Sequence, residues 1–109
     1  MPEPSVPTVS LAQLHALLTD PQLRCWLIHA TDTRPFTAGH VPGSLAQPDT
    51  RLLRRLGAEV PIVVYGEDEQ ASAAPALVRE LHHLGVEVAW FAGGIAGWTA
   101  AGLPLERSG

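Results

Sequence analysis

The sequence predicts an α/β domain built on a parallel sheet with helices on both faces. Three short runs, Cys25-Trp26-Leu27-Ile28, Ile62-Val63-Val64-Tyr65 and Val86 to Phe91, are apolar at nearly every position and alternate with stretches of helical periodicity. Strands of that kind are covered on both sides, as in a parallel sheet sandwiched between helices. The size agrees: 109 residues with 46% apolar content suit one core and therefore one domain. Residues 1–7, with three prolines, read as an extended tail, and 8–109 as the domain.

The first helix begins at Leu11, because Ser10 and Gln13 have the spacing of a capping box and Val9 precedes them. Leu11, Leu14, Leu17 and Leu18 recur at helical spacing until Asp20-Pro21 ends the run. The Cys25–Ile28 strand follows. Thr33 to Gly39 has the punctuation of one helical turn, and His40-Val41-Pro42-Gly43 that of a loop. Asp49 caps a second helix that turns Leu52, Leu53 and Leu56 inward and stops at Gly57 in a left-handed conformation. Ile62–Tyr65 is a β-branched strand bounded by Pro61 and Gly66. A polar loop leads to a third helix over about Ser72 to Leu84, with Pro75 in its first turn and Gly85 beyond its end. After the Val86–Phe91 strand, Gly93-Gly94 allow a close approach of strand and helix. The last helix runs from Ile95 to Ala101 and ends at Gly102.

Composition excludes several functions. The net charge is −4 and all seven basic residues are Arg, so no broad cationic surface serves nucleic acid or an anionic membrane. The longest apolar runs fall far short of a membrane span, and the first residues lack a basic start and an apolar signal core. The expectation is a soluble, cytoplasmic protein. One cysteine, Cys25, leaves no internal disulfide and no multi-thiolate metal site. In parallel α/β sheets ligands sit beyond the carboxyl ends of the strands, which here means His29-Ala30-Thr31 and Gly66 to Ala71.

Three segments resemble the rhodanese (sulfurtransferase) homology domain: Phe36-Thr37-Ala38-Gly39-His40-Val41-Pro42-Gly43-Ser44, then Ile62–Tyr65, then Phe91-Ala92-Gly93-Gly94-Ile95-Ala96-Gly97-Trp98 with Ala101-Gly102-Leu103-Pro104 behind it. Together they span nearly the whole chain from Val9. The resemblance implies a three-layer fold with a central, mainly parallel sheet. It also implies a site: in active members a cysteine follows the strand that here ends at Tyr65. Backbone N–H groups at the start of the next helix hold its thiolate and then its persulfide, and basic loop residues draw in an anionic sulfur donor.

This chain departs from that pattern. The loop reads Gly66-Glu67-Asp68-Glu69-Gln70-Ala71-Ser72, with Gly66 in the cysteine position and Gln70 or Ala71 where the family often has Arg. A related cysteine-phosphatase reading fails on the same two residues. The family's Asp-x-Arg at the end of the first central strand reads His29-Ala30-Thr31.

Each candidate residue has a plain structural alternative. Cys25, at the far end of its strand from the loop, reads as a core thiol. Glu67, Asp68 and Glu69 either favour the start of the following helix or reverse the charge that attracts anionic donors. His29 reads as a wall of the pocket, since one imidazole near carboxylates is a weak metal set. His40 reads as a structural hydrogen-bonder, His82-His83 as a solvated helix end, and Ser72 as a helix cap without a base in register. Trp26, Trp90 and Trp98 read as packing residues. Arg51, Arg54 and Arg55 form either a solvated face or a dock for an acidic partner.

The sequence therefore predicts a rhodanese-like domain without a catalytic residue, metal or cofactor, acting as a binding or regulatory module for a protein or small-molecule ligand through loop 66–72. The alternative is a sulfurtransferase-related enzyme that uses a non-standard or partner-supplied thiol.

Overall fold

The computed structural model describes residues 7–20, 22, 24–30 and 39–106. Among the described residues nine elements follow one another: β1 (Thr8–Val9), α1 (Leu11–Thr19), β2 (Trp26–His29), β3 (Leu45–Ala46), α2 (Thr50–Gly57), β4 (Ile62–Tyr65), α3 (Ala73–His83), β5 (Val88–Phe91) and α4 (Gly94–Ala100). The strands form one sheet in the order β1-β5-β4-β2-β3, every pairing parallel. This is the predicted α/β class, with two more strands than the three apolar runs announced. The turn expected over Thr33 to Gly39 lies mostly outside the described residues. No helix among the described residues is long and apolar enough to cross a membrane.

Successive strand residues point to opposite faces, and each face has its own cluster. Ile28, Ala30, Ile62, Val64 and Val88 meet Leu53 of α2 and Ala74, Leu77, Val78 and Leu81 of α3. Leu27, Val63, Tyr65 and Phe91 meet Leu14 of α1 and Ile95 and Trp98 of α4. That two-sided burial explains why β4 is apolar along its length and β2 from Trp26 to Ile28. Trp26 and Trp90 pack against the first cluster, and Trp98 is buried in the second, donating its indole N–H to the Pro104 carbonyl at 2.8 Å.

Local signals account for most helix ends. The Ser10–Gln13 capping box forms in both directions, and Asp49 accepts from the Leu52 N–H at 2.9 Å. After α3, Gly85 adopts φ +84°, with Val86 N–H bonded to the Leu81 carbonyl and Gly85 N–H to that of His82, both at 3.0 Å, a Schellman closure.

Four local expectations need correction. Leu52 faces out, 44% exposed, and Leu56 is only half-buried, so Leu53 alone anchors α2 fully. Gly57 is helical, and its role is close approach: a Cβ there would lie 2.4 Å from Val86 Cγ1 and 3.1 Å from Ile62 Cδ1. Ser72 makes no side-chain cap bond. Cys25 precedes β2 and is half-buried, lining a cavity of about 560 Å3 with Val9, Leu17, Ile62 and Val86 at the amino ends of the strands.

Gly57→Ala is expected to destabilise the domain by up to about 2 kcal/mol. Overpacking against a β-branched Val with few alternative rotamers costs about 1–3 kcal/mol, offset by about 1 kcal/mol of helix propensity. Chemical denaturation checks this; a stabilised variant would mean that the Gly57–Val86 contact yields freely.

Candidate functional site

After β2 the described chain resumes at Gly39 with Val41 buried on the α1/α4 face, whereas α3 follows β4 on the other face. Ligand sites of parallel α/β sheets lie where the connections of neighbouring strands take opposite faces in this way. His29 ends β2, Tyr65 lies beside it in register, and Gly66 begins the next loop.

Loop 66–72 is held by its neighbours and by one of its own carboxylates. The Gly66 carbonyl accepts from Ile95 N–H at 3.0 Å and the Glu67 carbonyl from Ala96 N–H at 2.9 Å, which docks the loop on the start of α4. This approach requires Gly94 at φ +60°, since a Cβ there would sit 2.5 Å from the Gly66 oxygen. Asp68 Oδ1 accepts from the backbone N–H of Gln70 at 2.9 Å and of Ala71 at 3.0 Å. The acidic run is thus not uniformly solvated. Glu67 and Asp68 are half-buried, while Glu69, Gln70 and Ser72 are exposed.

Gly66 is buried outside the left-handed region, and a Cβ there would meet the Ala30 oxygen and Ala74 Cβ at 3.4 Å, ordinary contact. A Cβ is therefore sterically admissible where this chain has none.

His29 is 4% exposed, and its ring meets the Tyr65 ring edge-on at 5.5 Å between centroids. Tyr65, which sequence reasoning treated only as strand, organises the neighbouring loop. Its hydroxyl accepts from Val41 N–H at 3.0 Å and lies 2.7 Å from Ser44 Oγ, which in turn donates to the Val41 carbonyl at 2.7 Å. Since the Ser44 proton is committed to that carbonyl, Tyr65 donates to Ser44. Burial pushes the Tyr65 phenol up, partly countered by the hydrogen bond its oxygen accepts from Val41 N–H.

The backbones of His40 and Glu106 exchange hydrogen bonds of 2.9 and 2.8 Å, and His40 Nε2 lies 3.6 Å from the Glu106 carboxylate. His40 thus ties the loop after β2 to the end of the described chain. His82 and His83 are exposed in the last turn of α3. Among the described residues no three His, Cys, Asp or Glu side chains converge as a metal-ligand set.

Cys25 lies at the opposite end of β2, about 13 Å away along a four-residue strand, and burial pushes its thiol pKa up. β2 ends at His29, which puts His29 and Ala30 at the strand end where the family's Asp-x-Arg begins, and Thr31 lies outside the described residues.

A doubly wound parallel sheet with a strand–loop–helix segment at its divergence point defines the class. The chain belongs to the rhodanese-like domain family, whose model matches residues 10–101. Solved structures agree on the fold. The BH2092 protein from Bacillus halodurans matches with a TM-score of 0.82 and 19% identity over 94% of this chain and 77% of that one. The Alr3790 protein from Anabaena sp. is 30% identical over 91% and 80% of the two chains, with a TM-score of 0.66. A thiosulfate sulfurtransferase from Pseudomonas aeruginosa matches with a TM-score of 0.75 and 23% identity over 95% of this chain, which spans 21% of that one. No curated protein matches the sequence.

Proposed function

We propose that this rhodanese-like domain does not transfer sulfur through a thiol of its own and instead acts in the cytoplasm as a binding or regulatory module, with loop 66–72 as its recognition segment. One observation carries the reading: with Gly66 in the nucleophile's place, the Asp68 carboxylate already holds the Gln70 and Ala71 N–H groups. Those are donors of the kind that would steady a thiolate or persulfide at this loop. An internal anion thus already occupies two of the loop's donors. Glu67 and Glu69 beside it oppose an approaching dianion such as thiosulfate, so a neutral or cationic ligand, or a protein segment of that character, suits the loop better. Cys25 is a poor substitute nucleophile, being at the wrong end of the sheet and mostly protonated at neutral pH.

A thiosulfate:cyanide assay tests the reading. No turnover above the uncatalysed rate is expected, and turnover lost in Cys25→Ser would overturn the proposal in favour of an enzyme with displaced thiol chemistry. Gly66→Cys should fold, because the site admits a Cβ, yet transfer little sulfur. Gly66→Cys combined with Glu67→Gln, Asp68→Asn and Glu69→Gln should transfer clearly more. A single variant as active as the combination at low salt, where charges are least screened, would show that the acidic run is immaterial.

A further inference from the structure

We propose that the outer face of α2 is a docking surface for an acidic, leucine-bearing helical segment of a partner protein. Three of the chain's seven basic residues, Arg51, Arg54 and Arg55, stand exposed on this helix, although the net charge is −4. The rest of the chain is therefore more acidic still, and α2 is a cationic island on an acidic protein.

The helix's own stability accounts for only part of the pattern. Arg54 and Arg55 occupy the last turn, where cations complement the helix dipole, but Arg51 lies in the first turn and opposes it. The one ion pair between described residues joins His40 and Glu106, so no described carboxylate pairs with a guanidinium of α2. Beside these charges Leu52 is 44% exposed, and with Asp49 and Ala58 the four side chains line a shallow depression. An unfavourable charge and a solvated leucine thus adjoin on one face, and both costs are relieved by a cover carrying carboxylates and an apolar side chain.

Spacing specifies the cover further. Arg51 and Arg55 are four residues apart, and Arg54 three from Arg51, which places the guanidiniums along one stripe of about 6 Å rise. Carboxylates at i, i+3 and i+4 of a facing helix repeat that spacing, and Arg pairs them bidentately. A second copy of this chain fits less well. Its acidic run is the loop in which Asp68 is already bonded, and two chains of like net charge repel. An anionic membrane or nucleic acid would meet only this two-turn patch on an otherwise repelling surface.

The test uses a fluorescein-labelled peptide of about 16 residues, long enough to be helical, with glutamates at i, i+3 and i+4 and one leucine between them. Saturable binding to the full chain by fluorescence polarisation is expected. It should weaken about tenfold in Arg51→Glu/Arg55→Glu, about threefold in Leu52→Ala, and at high salt, where the Debye length falls to about 3 Å. A lysine-for-glutamate peptide should bind the Arg51→Glu/Arg55→Glu chain and not the unaltered one, a gain that misfolding cannot produce. The proposal is overturned by absent binding, by equal binding to the Arg51→Glu/Arg55→Glu chain, or by equally tight binding of phosphatidylserine vesicles. Self-association that the same substitutions abolish would overturn it in favour of a second copy.

Discussion

Replacing Gly94 by alanine is expected to destabilise the domain by about 2–4 kcal/mol and to detach loop 66–72 from α4. Two costs combine. A left-handed conformation costs a residue with a Cβ about 1–2 kcal/mol, and Gly94 has φ +60°. The added methyl would also stand 2.5 Å from the Gly66 oxygen, 3.0 Å from the Glu67 carbonyl carbon and 3.1 Å from the Asp68 nitrogen. These are backbone atoms, which cannot turn aside as a side chain tip would, so α4 and the loop must separate. The Ile95–Gly66 and Ala96–Glu67 hydrogen bonds go with that contact. A fall in Tm of roughly 10 °C or more is expected for a chain of this length, with amide exchange rising first at Ile95 and Ala96. A loss below about 1 kcal/mol would mean that the loop is not seated on α4 as described.

Tyr65→Phe is expected to cost about 1–3 kcal/mol. The ring would stay in the α1/α4-side core, but Val41, fully buried, would lose the acceptor of its N–H, and Ser44 Oγ would lose an incoming donor. The substitution also has a pH signature. Burial raises the phenol pKa in the folded state, so on unfolding Tyr65 titrates at its ordinary value, about 10. Its contribution is therefore fully present below about pH 10 and lost as pH rises through the folded value, because the unfolded state binds fewer protons in that interval. Cys25, also raised, adds loss in the same direction from about pH 8.5. Stability profiles should show a shallower alkaline decline in Tyr65→Phe than in the unaltered chain. Parallel profiles would contradict the buried phenol.

The parts of the fold visible in the sequence are those with a local cause. The Ser10–Gln13 box, the Asp49 cap and the Gly85 closure each depend on a few neighbouring residues, and β4 and the Trp26–Ile28 part of β2 are apolar because two helical layers cover them. The strands β1 and β3 have two residues each, too few to show a period, and exist because β5 and β2 offer them an edge. Leu52 and Gly57 were misplaced because helical spacing gives the stripe without saying how far it wraps: Leu53 takes the core, and Gly57 lets α2 approach Val86. At the site, Gly66 and the acidic run are legible by position alone. The pairing of Tyr65 with Val41 and Ser44 links residues more than twenty apart and has no local sign. Asp68 had one: an Asp two and three residues before free N–H groups tends to bond them, a turn pattern that Glu67-Asp68-Glu69-Gln70-Ala71 contains.

If the unaltered chain carries no sulfur on a thiol of its own, intact-mass spectrometry after incubation with excess thiosulfate, without reductant, shows an unchanged mass. A stoichiometric gain of one sulfur atom mapped to Cys25 would instead establish a sulfur-carrying thiol and overturn the proposed function.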